Sequence, residues 1–206
     1  INGYVLKNYI GQKTNTFDAF LCMSVISLGI ISKIYDIILK HTHIPKERIS
    51  THTFPVVSFS VLRVLYPNYS NFLILDTTSE VTDLTLIEND VITQTSSFPS
   101  GKNFILRQIS KAFGVSIEIA ESTLSLFIYG KLDNEMSTKI ESVLNDIEKE
   151  WSIYFEKAIL ELSNEGNPSS NIPSRVYLTT DDDVANLYKT FLKLPKADAT
   201  SNFRKN

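Results

Sequence analysis

The stretch Phe72–Gly101, FLILDTTSEVTDLTLIENDVITQTSSFPSG, constrains the fold of this chain more than any other. Phe72–Leu75 reads as a short buried strand with turn-forming residues on both sides. Val81–Ile87 alternates weakly and carries β-branched residues, which favours a second strand. Asn89-Asp90 suits a tight hairpin, because both residues tolerate left-handed backbone angles. Val91–Ser97 is then the return strand, and Pro99–Gly101 is a loop that opens a helix.

Helices follow. Asn103–Phe113 has apolar residues at 104, 105, 106, 109, 112 and 113, and Gly114 is a favoured terminator. Ser116 caps the next helix, with Glu118 and Glu121 near its positive end, and that helix closes near Tyr129–Gly130. Asp133 starts the longest one. Met136, Ile140, Leu144, Ile147, Trp151, Phe155, Ala158 and Leu162 step by three or four along a single apolar stripe. A linker at Asn164–Pro173, a strand at Arg175–Thr179 and a helix at Val184–Leu192 complete this block. Upstream, the expectation is a strand at Ala19–Ser27, a helix at Ile31–Lys40, a more polar strand at Glu47–Phe54 and a helix at Pro55–Tyr66. The order is β-α-β-α followed by β-β-β-α-α-α-β-α, an α/β chain.

The 206 residues suit one large domain or two small ones. A net charge of −3 leaves no basic footprint for nucleic acid. Cys22, the single cysteine, excludes an internal disulfide and reads as a small core residue in a reducing, cytosolic setting. The apolar run Ala19–Ile31 is too short to span a bilayer, which takes roughly 20 residues.

Four constellations carry possible chemistry. Asp76-Thr-Thr-Ser-Glu-Val-Thr82-Asp83 follows a buried strand, where carboxylates and hydroxyls can hold a phosphate chain and its hydrated magnesium. It lacks the glycine that lets a backbone approach phosphate, and an ordinary polar turn explains it as well. Pro99–Asn103 opens a helix whose amides, with Lys102, suit an anion or are a plain helix start. Thr179–Asp183 could bind a hard cation or cap the last helix. His41, His43 and His52 lack metal-ligand spacing and read as surface residues.

The order of these motifs resembles that of the actin-like ATPases of the FtsA (cell division) and PilM (type IV pilus assembly) type. The matching residues are DTTSEVTD (76–83), the ENDVI hairpin, FPSGKNFILRQI (98–109), Ala120-Glu121, Tyr129-Gly130 and Leu178-Thr-Thr-Asp-Asp; upstream, Gly3-Tyr4, Asn8 and Ile10-Gly11 match as well. The resemblance implies an actin-like, ribonuclease H-like lobe at 55–194, with a mixed sheet flanked by helices. It also implies a 1C-like (SHS2-type) subdomain at 1–54 and a first lobe missing before Ile1; the tail at 195–206 is expected to be disordered from its own composition. The nucleotide site it implies is Asp76, Thr78, Thr82, Asp83, Gly101, Glu121, Thr179 and Thr180, with Asp76 holding magnesium through water and ATP as the cofactor. The glycines of that site are replaced, by Thr180, Asp181 and Asp182 on the adenosine side, and Ser125 stands where the family has a basic side chain. The site is therefore expected to be degenerate. The implied role is a scaffold, a pseudo-ATPase, binding protein partners of the pilus or division machinery, with self-association, no nucleic acid and only indirect membrane contact. Its place would be cytoplasmic, at the inner face of the cell membrane. The alternatives are an active, assembling ATPase of the same fold and an unrelated α/β interaction domain.

Overall fold

A computed structural model describes residues 25–164 and 172–193. The elements are α1 (Leu28–His41), a 3-10 turn (Lys46–Arg48), α2 (Phe54–Leu65), β1 (Phe72–Thr77), β2 (Thr82–Glu88), β3 (Val91–Phe98), α3 (Lys102–Phe113), α4 (Ile117–Ile128), α5 (Asn134–Asn164), β4 (Val176–Thr179) and α6 (Ala185–Lys193). The strands form one sheet in the order β3-β2-β1-β4. β1–β2 and β2–β3 pair antiparallel, and β4 returns parallel to β1 after the three-helix crossover.

The hairpin forms where the sequence places it, with Asn89 and Asp90 at φ 51° and 61°. Those angles fit the right-handed twist of the flanking strands. Gly114 ends α3 at φ 65°. Ser116 Oγ accepts the Ile119 amide, and Asp133 Oδ1 accepts that of Met136, so each helix start gains a side-chain cap.

The sheet has unequal faces. On one, Leu73, Leu75, Leu84 and Leu86 pack against Ile105 and Ile109 of α3 and Trp151 and Phe155 of α5. Tyr188 and Phe191 of α6 close this core, their rings tilted against Trp151 at centroid distances of 6.0 and 5.7 Å. On the other face Phe72, Ile74 and Ile87 cluster with Phe59 of α2, with Leu62, Ile92 and Tyr177 packed alongside. The α5 stripe is buried from Ile140 to Leu162, while Met136 at its start is half-buried.

This β-β-β-α-α-α-β-α order and mixed sheet are those expected from the sequence. The expected strand at Glu47–Phe54 does not form. Pro45 leads into the 3-10 turn and Phe54 already belongs to α2. β-branched composition makes a strand only beside a partner strand, and among the described residues none lies alongside this segment. Val25–Ser27, the described end of the expected Ala19–Ser27 strand, is not a strand either. The rest of that strand, Cys22, the Gly3–Gly11 matches, most of the Asn164–Pro173 linker and the 195–206 tail lie outside the described residues.

Truncating the stripe should rank by burial. Trp151→Ala is expected to lower unfolding free energy by about 3–5 kcal/mol, and Met136→Ala by less than about 1 kcal/mol, as read from urea midpoints.

Candidate functional site

The candidate residues gather at the end of the sheet where β1 and β4 finish, but on two sides of it. Side chains alternate along a strand, so Asp76 shares a face with Phe72 and Ile74, the α2 face. Strand register then aligns Ser97, Asp83, Asp76 and Thr179 in one row across all four strands. Ser97 Oγ donates to Asp83 Oδ1. Asp76 is half-buried. Burial, and then the neighbouring Asp83 charge, push its carboxyl up to about 6.

Thr82 belongs to the opposite face. It is fully buried, and its hydroxyl donates to the Ser100 carbonyl at 2.8 Å and lies 3.3 Å from the Thr77 hydroxyl. Those bonds tie β2 to the loop before α3. Thr78 is also engaged: its hydroxyl donates to the Val81 carbonyl and its amide bonds the same oxygen, which closes the β1–β2 turn.

The start of α3 is where the two glycine-dependent motifs of the resemblance meet. A helix leaves its first amides without internal partners. Here the Gly101 amide donates to the Glu80 carbonyl (3.2 Å), that of Lys102 to Thr78 (3.0 Å) and that of Asn103 to Ser79 (2.7 Å). The turn that would cradle phosphate therefore caps the helix that would receive it. The approach is so close that a Cβ on Gly101 would lie 2.3 Å from the Thr78 oxygen. Glu80 completes the clasp, accepting from Asn103 Nδ2 at 2.7 Å and pairing with Arg107 at 3.0 Å. Those bonds, Asn103 first, hold its carboxyl below the usual range.

From the same helix start, the Lys102 side chain runs to the remaining candidates. Its Nζ lies 2.7 Å from Asp183, 3.1 Å from Glu121 on α4 and 3.8 Å from Asp181. Pairing with Asp183 and then Glu121 holds the ammonium above its ordinary value, against the burial that would lower it. The carboxylates of the β4–α6 turn thus have an internal counter-ion, and the cation that Ser125 lacks comes from α3. The Thr180 hydroxyl oxygen is buried without a hydrogen-bond partner. Behind the turn, burial and Asp181 hold the Tyr188 phenol well above its usual range. Among the described residues no three His, Cys, Asp or Glu side chains converge to hold a metal ion, and His41, His43 and His52 are all exposed.

The structure thus brings together Asp76, Asp83 and Thr179 on the α2 face. It brings Gly101 and Glu121 together through Lys102 at the α3 start, and turns Thr82 inward. Sequence reasoning placed Lys102 beside an anion. Its true partners, Glu121 and Asp183, are distant in sequence, and the only local signal was an excess of carboxylates facing one helix start.

No family model and no curated protein matches this chain. Among solved structures it is similar in fold to the ethanolamine utilization protein EutJ from Carboxydothermus hydrogenoformans, at 17% identity and TM-score 0.42 over 66% of this chain and 44% of that one. It is similar to a chain of a PilM–PilN type IV pilus biogenesis complex, at 17% identity and TM-score 0.43 over 65% and 38%. A third is component A of the Acidaminococcus fermentans (R)-2-hydroxyglutaryl-CoA dehydratase, at 11% identity and TM-score 0.40 over 82% and 75%. The chain spans less than half the length of the first two. Likeness at these scores adds no weight to the topology described above.

Two measurements check this geometry. Gly101→Ala should cost about 3 kcal/mol, the upper end for overpacking, against about 1 kcal/mol for Gly114→Ala, where only the left-handed angle is strained. Asp76 has a folded pKa above its unfolded one, so the folded state holds a proton that the unfolded state releases. Its penalty is absent below about pH 4, grows to about pH 6 and is full above it. Because the group is half-exposed, roughly 1–2 kcal/mol is expected. Asp76→Asn should raise the urea midpoint at pH 7.5 and leave it unchanged at pH 4.

Proposed function

We infer that this chain is part of an actin-like scaffold of the FtsA/PilM type whose nucleotide site is degenerate. It would work by binding protein partners at the inner face of the cell membrane, in type IV pilus assembly or cell division. One observation carries the loss of nucleotide binding: the three amides that open α3 already bond the carbonyls of Thr78, Ser79 and Glu80. Those amides are the donors a phosphate needs. Opening the clasp for a ligand would break all three bonds. On the nucleoside side, Lys102 occupies the space between Glu121 and Asp183.

The order of elements and motifs supports the actin-like class. The choice of a partner-binding role follows from a lobe retained without its phosphate donors. No helix among the described residues is long and apolar enough to cross a membrane, so a membrane-side position would be peripheral.

A second reading, an active ATPase, has one observation in its favour. Asp76 keeps its place at the end of β1, next to Thr179, with its charge poorly compensated. Magnesium ATP would be the missing counter-ion.

Calorimetric titration with ATP and magnesium separates the two. The scaffold reading expects no heat of binding up to roughly millimolar ligand. Micromolar, magnesium-dependent binding with turnover would establish the ATPase.

A further inference from the structure

Among the described residues, α1 packs firmly on no other element. None of its residues is buried, and it makes no substantial packing with the sheet or with α2. A 14-residue helix is marginal in water unless an apolar face is covered. Its sequence, LGIISKIYDIILKH, has such a face. At about 100° per residue, apolar side chains line an arc of roughly 200°, from Ile37 and Ile30 through Ile34 and Ile38 to Leu28 and Leu39, with His41 of the last turn the one polar residue inside it and Ile31, Tyr35 and Ile38 half-buried. Ile30 and Ile37 are 54% and 60% exposed. Single exposed apolar residues are ordinary, but a continuous helical face marks a contact surface.

The charges around this face identify what it meets. Lys33 and Lys40, both exposed, stand seven residues apart along one border of the apolar arc. On the other border Lys46 lies over the Tyr35 ring, 5.2 Å from its centre. Residues 28–53 carry four basic and two acidic side chains, and three histidines, in a chain whose net charge is −3. Cations on both borders of an apolar face suit a surface that is apolar below and anionic above. Lysine stems can lie along the face while their ammonium groups reach the headgroups. At about 21 Å the helix is too short to span a bilayer and suits one that lies in its plane.

We propose that α1 is an in-plane membrane anchor, with Ile30, Ile34 and Ile37 entering the acyl boundary of an anionic bilayer and Lys33, Lys40 and Lys46 pairing with its headgroups. This gives a chemistry to the membrane-side position inferred above and rests on that reading only for which membrane is meant. The surface is distinct from the α3 start, so nucleotide titration and lipid binding fail or succeed separately.

Vesicle flotation of the whole chain tests it. The probes are vesicles of phosphatidylcholine alone and with about 30% phosphatidylglycerol. The chain should partition onto the anionic vesicles at least about tenfold more strongly, and less so in high salt. Ile37→Glu, and separately Lys33→Gln with Lys40→Gln, should each reduce that partition by about tenfold. Thermal melts of these variants should match the parent, because every changed side chain is exposed. No partition onto anionic vesicles, or partition that the variants leave unchanged, overturns the proposal. A dimer in solution that Ile37→Glu dissolves, without lipid binding, also overturns it and makes a second copy the occupant.

Discussion

Every helix must find partners for the amides of its first turn, and in α3 those partners are the carbonyls of the β1–β2 turn. Much of the rest follows from that one arrangement. The turn has to lie against the helix backbone, so residue 101 must be glycine. The strand leaving the turn comes close enough for Thr82 to bond the Ser100 carbonyl. The α3 axis is thereby fixed to the sheet, which sets Ile105 and Ile109 over Leu84 and Leu86 in the larger core. Lys102, at the first position of the helix, is directed toward α4 and the β4–α6 turn, and ties both down through Glu121 and Asp183.

The same arrangement decides what the site can do. Backbone amides at a helix start can serve a phosphate or a neighbouring turn, but not both. Each protein hydrogen bond contributes a net stability of only about 1 kcal/mol, yet a buried donor left unpaired costs about 1–3 kcal/mol. A ligand that opened the clasp would therefore have to satisfy the three amides and also the three carbonyls it displaced. Phosphate offers acceptors and no donors, so it could serve the first set only. The carboxylates of Glu121, Asp181 and Asp183 meet the same difficulty from the other direction. They would repel an anion, and Lys102 offsets only part of their charge from within the fold.

Most of the framework was legible because it is local. Alternation marked the strands, Asn89-Asp90 marked the hairpin, and the three-and-four spacing of α5 marked the face that meets the sheet. What failed needed information from far along the chain. Glu47–Phe54 has strand-like composition but no neighbour to pair with, and Pro45 sends it into a helical turn instead. Asp76, Thr82 and Asp83 look like one cluster in sequence. Pairing of Asp76 with Asp83, and of Thr77 with Thr82, puts the acids on one face and the hydroxyl on the other. A lysine before a helix is an anion site in sequence terms; only the fold brings carboxylates from 19 and 81 positions away to meet it.

The two faces of the sheet now carry opposite problems. The face under α3, α5 and α6 is densely packed: Thr82 is bonded, Lys102 is paired and the start of α3 is capped. The α2 face is thinly covered, and it holds Asp76 and Asp83 side by side, a like-charge pair that lowers stability at neutral pH. The one charged residue of α2, Arg63, is buried against Phe59. With Ser97 and Thr179 exposed at either end of it, the acidic row is the more open part of the lobe, whereas the amides at the start of α3 are already bonded to the β1–β2 turn.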